Sequence, residues 1–253
     1  MQTRERDLMG GLAKGLSIIE AFSAERQRLS ISEAAEIAGL DRATARRCLL
    51  TLSELGYARY DGKYFELTPR ILRLGNAYLS GTSMPALLQP YLDQLSEKLG
   101  HSASASVLDG NEIVYIARAS QKRVMSINLM PGSRLPAYSA SMGRVLLAAL
   151  GEAEVAAILA TSTLKAHTPF TRTDPAELLA EIGRVRVQGY AVIDQELEIG
   201  LCSIGVPLHD ARGRVVAAIN VGAPSAVLPA ADLAGHCLDA MHEVQARLRS
   251  LLP

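Results

Sequence analysis

The sequence predicts an α+β chain in two parts: a winged helix-turn-helix over residues 1–68 and a domain of antiparallel sheet and helices over 84–253. Three observations predict it. Residues 32–56 read as two amphipathic helices joined by the tight turn Gly39-Leu40-Asp41. A strand, the turn dipeptide Asp61-Gly62 and a second strand follow directly. Beyond residue 100, short alternating segments are interleaved with helical ones, the mix of an α+β layer fold. At 253 residues the chain has the length of two ordinary domains.

In the first part, Leu12, Leu16, Ile19 and the pair Ala21-Phe22 recur at helical spacing and predict a helix over about residues 8–24. A polar break from Ala24 to Arg28 ends it. Ser32 reads as the N-cap of Glu33–Ala38, and Gly39 as its stop. Asp41 caps a third helix running to Leu55, whose buried stripe is Ala45, Cys48, Leu49, Leu52 and Leu55. Arg42, Ala43, Arg46 and Arg47 lie on the rest of its circumference, toward the end that a recognition helix points into the major groove. Arginine there forks onto guanine or phosphate, and Thr44 has a hydroxyl for phosphate. Gly56–Tyr60 and Lys63–Leu67 form the wing, with Lys63 at the tip and Arg59 nearby, placed to meet the DNA backbone or minor groove. Thr68-Pro69 opens another helix through Tyr78, and residues 80–83 read as the interdomain break, so 69–83 is linker.

The second part opens on an amphipathic helix over residues 84–99. Ala103–Leu108, Glu112–Ala117 and Val124–Leu129 alternate as strands, with turns at Asp109-Gly110 and Pro131-Gly132. Helices are expected over Gly143–Leu150, Asp174–Arg186 and Ala231–Leu252. Further strands are expected at Ala191–Ile193, Ser203–Leu208 and Val215–Val221.

Composition excludes several function classes. With 49% apolar and 21% charged residues the chain suits a folded globular protein. No apolar run reaches the roughly 18 residues of a membrane span, and the first ten residues carry no apolar signal core. The expectation is a cytoplasmic protein with no membrane partner. Cys48, Cys202 and Cys237 are widely spaced, and the five histidines show no metal-ligand spacing, so neither metal nor cofactor is expected. The formal net charge is zero, yet residues 38–75 hold seven cations against four acids. One basic face on a neutral protein is compatible with specific DNA binding.

Two rival readings compete with DNA binding. A winged-helix module for protein partners should lack the cationic helix end of Arg42, Arg46 and Arg47. A small-molecule enzyme fused to a winged helix should offer a nucleophile with an adjacent base. Ser139–Gly143 approaches a nucleophile elbow but lacks its first glycine, and Ser162–Lys165 lacks the companion motifs of its class. No enzyme activity is expected.

Over nearly its full length the chain resembles the isocitrate-lyase-regulator (IclR) family of bacterial transcription factors. The residues that carry the resemblance are Pro136-Ala-Tyr-Ser-Ala-Ser-Met-Gly-Arg-Val-Leu-Leu-Ala148, Gly189-Tyr-Ala-Val-Ile-Asp-Gln-Glu-Leu-Glu-Ile-Gly200, and Ser203–Leu208 with Val216–Val221. Asp109–Arg118, Arg134–Tyr138 and Gln195–Glu198 look like the subgroup that regulates protocatechuate, 4-hydroxybenzoate and β-ketoadipate catabolism. That subgroup often has Cys-Thr where this chain has Ser139-Ala140. The resemblance implies a sensor domain of the GAF type, a homodimer or dimer of dimers, palindromic double-stranded operator DNA, and a small organic acid as effector. A regulator of the same family that senses a different small carboxylate is the alternative.

Two sources give the candidate ligand residues. The start of the helix at Ser139–Gly143 offers unpaired backbone N–H groups to an anion, with Arg134 upstream as a bidentate partner; plain capping of that helix is the competing reading. The resemblance carries over Ser141, Met142, Asp194, Glu196, Ser203, Asn220 and Gly222 as ligand-facing, and Tyr138 belongs to the shared motif. Asp194 and Glu196 are expected to read hydroxyls, or else to be solvated loop acids. Positive groups at one end and acceptors at the other suit a hydroxylated aromatic acid, or less well a linear keto-diacid.

Overall fold

The computed structural model describes residues 8–23, 25–75, 84–120 and 129–252. Contacts divide the chain into two units, residues 1–81 and 82–253.

In the first unit, α1 (Gly10–Glu20), α2 (Ile31–Ala38) and α3 (Arg42–Glu54) pack around Ile18, Ala34, Leu49 and Phe65. A small sheet of order β1-β3-β2 joins Arg28–Leu29 (β1), Ala58–Tyr60 (β2) and Phe65–Leu67 (β3). The cap of α2 is Ser30, not Ser32. Its hydroxyl accepts from the Glu33 N–H while the Glu33 carboxylate takes the Ser30 N–H, a reciprocal box that Ser32 sits too late to form. Within the expected polar break, Arg28 begins β1, a strand too short for periodicity to reveal. Leu55, expected in the buried stripe, is 53% exposed because the helix ends one residue before it. Pro69–Ile71 is a short 3-10 turn capped by Thr68. The rest of the expected linker, from residue 76 to 83, lies outside the described residues.

The second unit is a six-stranded antiparallel sheet of order β6-β5-β4-β9-β8-β7. Its strands are Ser102–Asp109 (β4), Glu112–Ala119 (β5), Arg134–Pro136 (β6), Ala191–Asp194 (β7), Leu201–His209 (β8) and Val215–Pro224 (β9). The strand expected at Val124–Leu129 falls outside the described residues except for Leu129, which is buried in core. On one face of the sheet, α4 (Met84–Leu99) and the terminal α8 (Ala230–Leu248) cover Ala103, Ala105, Ile219 and Val221. On the other lie α5 (Ser141–Ala148), α6 (Glu152–Thr161) and α7 (Pro175–Gln188). β6 and α6 were not foreseen.

β4 shows why the two faces differ. Its sequence alternates Ser102, Ala103, Ser104, Ala105, Ser106, so alanines face α4 and α8 and buried serines face α5. All eight residues of α5 are buried. Two glycines let it lie so deep. A β-carbon at Gly205 would come within 2.9 Å of the Ser141 carbonyl carbon, and one at Gly143 would fall inside the backbone of Ala137. Gly143 therefore serves the chain's own close approach rather than a ligand's.

Among the described residues no helix is long and apolar enough to cross a membrane, and no group of three or more His, Cys, Asp and Glu could hold a metal ion.

Gly143→Ala forces backbone against backbone, so its stability should fall by at least about 2 kcal/mol. Urea unfolding checks this, and an unchanged midpoint would contradict the packing described.

Candidate functional site

The first unit presents a cationic face. Asp41 caps α3 by accepting the Thr44 N–H at 2.8 Å, which sets the helix start. Arg42, Ala43, Arg46 and Arg47 are exposed at that end, and Thr44 is half-buried. No carboxylate of the described residues forms an ion pair with Arg42, Arg46 or Arg47, although ten such pairs occur elsewhere. The wing loop is shaped locally: Asp61 accepts the N–H groups of Lys63 and Tyr64 at 2.9 and 2.7 Å, and Gly62 takes φ 101°. Those two N–H groups, ahead of Arg28, hold the Asp61 carboxyl below its usual range. Lys63 projects at the tip over the Tyr64 ring, 4.9 Å from its centre. Arg59, expected to meet DNA, pairs instead with Glu66 at 2.8 Å.

The second unit holds a cavity between the serine face of the sheet and the start of α5. It is lined by Ser102, Tyr115, Arg118, Leu135, Ala140, Ser141, Met142, Leu197, Leu201, Ser203, Asn220 and Gly222. Strand register builds its floor in rows: Arg118 pairs with Ser104, Ser104 with Asn220, and Asn220 with Gly205. Residues directly opposite one another share a face. Ser102, Gly222 and Ser203 form the next row. In a regular strand Tyr115 and Arg118, three apart, would point to opposite faces. Ala105 pairs with Ala117 and Ser106 with Tyr115, so Ile116 is an extra residue, and this β-bulge turns both side chains to the cavity.

The cavity is polar below and apolar around its sides. Ser203 donates to the Ser141 hydroxyl at 2.9 Å, and Arg118 donates from Nη1 to Ser104 at 3.0 Å. The Asn220 Oδ1 is buried without a hydrogen-bond partner among the described residues. Burial pushes the Tyr115 phenol up to about 12, so it stays protonated. The cavity volume is about 30 Å³, room for two waters at the roughly 10–15 Å³ that one requires.

Several expected ligand residues lie elsewhere. Arg134 is on the edge strand β6, claimed by Asp109 at 2.8 Å and Glu112 at 2.6 Å, and does not line the cavity. Its two carboxylates sit just across the β4–β5 turn. Tyr138 turns away: its hydroxyl donates to the Lys165 carbonyl at 2.7 Å and accepts the Lys165 N–H at 2.9 Å. Ser139 is fully buried against its own turn. Asp194 is exposed and accepts from Cys202 Sγ at 3.1 Å, an arrangement that, after burial, raises the thiol to about 12. Ser141, Met142, Ser203, Asn220 and Gly222 do line the cavity.

Glu196 has a different role from the one expected. It is buried and pairs with the fully buried Arg144 at 2.7 Å, while the Arg172 N–H donates to the same carboxylate at 3.0 Å. Arg144 also donates from Nε to the Tyr138 carbonyl at 2.9 Å. The Thr168 and Thr171 hydroxyls donate to the carbonyls of Gln195 and Glu196 at 2.7 and 2.6 Å. Gln195 has φ 58°, a left-handed conformation uncommon outside glycine. The segment carrying Leu197 is thus tied to α5 by charge and to residues 165–172 by hydroxyls. Sequence reasoning missed Tyr115, Arg118 and Arg144. The serine alternation of β4 was the available signal for a polar floor.

Two family profiles match the chain: "Bacterial transcriptional regulator IclR C-terminal" over residues 76–246 and "IclR helix-turn-helix domain" over 11–62. The Pca regulon regulatory protein of Pseudomonas putida is 47% identical over 220 residues, covering 87% of this chain and 76% of that one. The p-hydroxybenzoate hydroxylase transcriptional activator of Acinetobacter baylyi is 38% identical over 224 residues, covering 87% and 83%. Among solved structures, the inducer-binding domain of a PobR double mutant from Acinetobacter, in complex with 3-hydroxybenzoic acid, superposes with TM-score 0.63. It is 30% identical and covers 66% of this chain and 98% of its own.

The buried pair can be tested directly. Arg144→Met leaves the Glu196 carboxylate buried without its main counter-charge and should cost about 3–5 kcal/mol. Adding Glu196→Leu should recover much of that in denaturant unfolding. A loss below about 1 kcal/mol for Arg144→Met would contradict a structural ion pair.

Proposed function

The chain belongs to the IclR family of bacterial transcription regulators, and from that membership we propose that it grips a palindromic operator through α3 and the β2–β3 wing and senses a hydroxylated aromatic acid in the cavity beneath α5. The DNA half rests on the arginines at the start of α3, exposed and without an ion partner among the described residues. Arginine in that position forks onto guanine O6 and N7 or onto phosphate, and Lys63 at the wing tip adds a sequence-independent phosphate contact.

The sensing half rests on the cavity. Serine hydroxyls, the Tyr115 phenol and the Asn220 amide share it with Leu135, Met142, Leu197 and Leu201. That mix suits a flat ring with polar substituents. The relatives named above supply the chemical class: one is a regulator of p-hydroxybenzoate hydroxylase, and the related inducer-binding domain holds 3-hydroxybenzoic acid. At about 30 Å³ the cavity is far below the roughly 150 Å³ that takes a benzene ring, so an aromatic acid enters only if a wall moves. A ligand that binds one arrangement of the walls and not the other is what a regulator needs.

The protein acts as a homodimer or a dimer of dimers in this reading. Met9 at the N-cap of α1 and Leu12 and Leu16 within it are 76%, 61% and 46% exposed, an apolar stripe that a second copy would cover. Two-fold symmetry would then match operator symmetry. Light scattering should return a multiple of 27.0 kDa, and a monomer persisting with operator present would contradict it.

Arg46→Ala should weaken operator binding by about 1–3 kcal/mol and relax base preference at one position per half-site. Lys63→Ala should weaken all duplexes alike and flatten the salt dependence. Gel-shift titrations in which both variants bind like wild type would remove the DNA assignment. The effector class is tested by calorimetric titration of protocatechuate, 3- and 4-hydroxybenzoate and β-ketoadipate into the full chain. Binding of a hydroxybenzoate or protocatechuate is expected, and binding of none of these aromatic acids would refute the class.

A further inference from the structure

Two groups on the cavity floor lack a match among the described residues. Arg118 is half-buried, donates to Ser104, and forms no ion pair with any carboxylate of those residues. The other two arginines that bear on the sensor's chemistry are each neutralised, Arg134 by Asp109 and Glu112 and Arg144 by Glu196. Among the described residues Arg118 is also the only charged one lining the cavity. A partly desolvated guanidinium without a counter-ion is an anion site held in reserve. Burial lowers its pKa from the usual value, the direction expected of a cation without a compensating charge.

Asn220 is the second group. It stands in the same row, one strand beyond Ser104, with its Oδ1 buried and unpartnered. Strand spacing puts Arg118 and Asn220 roughly 10 Å apart at their α-carbons, across β4. Ser104 alone stands between them in that row, a side chain small enough to lie beneath a ring once the wall has moved.

We propose that Arg118 takes the effector's carboxylate and Asn220 its ring hydroxyl, so that these two residues set the choice of a hydroxylated aromatic monoacid. The inference rests on the reading of this cavity as the effector site and gives that reading an orientation. A hydroxyl both donates and accepts, so it matches the Asn220 amide in either orientation. A second carboxylate, as in a keto-diacid, only accepts, so it could use the amide N–H group but would leave the buried Oδ1 unpartnered. The acid's far end therefore meets an amide rather than a second cation.

The test is calorimetric titration of the full chain with 4-hydroxybenzoate, its neutral analogue 4-hydroxybenzamide, and benzoate. Wild type should prefer the acid over the amide by at least about tenfold, since a charge-assisted bond to the guanidinium is at stake. Arg118→Gln should lose about 10- to 100-fold for the acid, leave the amide nearly unchanged, and so lose the preference. Arg118→Lys keeps the charge without the fork; it should retain the preference at reduced affinity. Asn220→Ala should erase the advantage of 4-hydroxybenzoate over benzoate while keeping that of acid over amide.

If wild type binds the acid and Arg118→Gln, folded by its melting curve, keeps the acid-over-amide ratio, the carboxylate assignment is overturned while the effector reading stands. Should Arg118→Gln not fold, wild-type affinity in Arg118→Lys overturns it equally. If wild type binds neither hydroxybenzoate nor protocatechuate, the effector class fails and takes this inference with it.

Discussion

The start of α5 lies closer to the sheet than any residue bearing a β-carbon would permit. At Gly205 the Ser141 backbone occupies the space a side chain would need, and at Gly143 the Ala137 backbone does the same. The first approach seats a fully buried helix on the sheet, and the second folds that helix tightly against the turn that precedes it. They bring Ser141 within hydrogen-bond reach of Ser203 and lay Met142 over Ser106. The cavity is what remains under that helix, and its lining follows from strand register. A larger residue at either glycine would move the roof before it touched any ligand group.

Charge placement then gives the sensor its chemistry. Glu196 ties the segment after β7 to Arg144 on the same helix. The cost of desolvating both ions makes such a pair weak evidence for stability but an effective lock, because separating them leaves a charge buried. Arg118 is the counterpart that no protein carboxylate neutralises among the described residues. One buried arginine therefore holds the wall in place while another stays available at the floor. A cavity of about 30 Å³ with such a wall has room for an aromatic guest only if the wall shifts, and under the proposed function that would link occupancy to conformation.

The winged helix was legible because its signals are local: Gly39 at φ 64°, Asp41 as a cap and the Asp61-Gly62 turn each act within four residues. Apart from β6, the sheet strands were legible from alternation, and their boundaries moved by at most three residues. The ligand site was less so, for two physical reasons. Arg134 looked like the anion partner because it precedes the helix start, but the antiparallel turn of β4 and β5 sets Asp109 and Glu112 against it. Arg118 looked unremarkable because the bulge at Ile116 changes its face, and a bulge has no signature in period-two patterning. Glu196 was read as a ligand group, yet its partner Arg144 lies 52 residues earlier in the chain.

Under the proposed function, occupancy of the sensor cavity and grip on DNA are one equilibrium. Linkage makes that measurable: if effector changes operator affinity by some factor, operator must change effector affinity by the same factor. The full chain should be titrated with a duplex selected from random sequence, with and without saturating 4-hydroxybenzoate, and then with the acid in the presence and absence of that duplex. The account predicts a shift of at least about fivefold, equal in both directions. Effector binding that leaves operator affinity unchanged would contradict it.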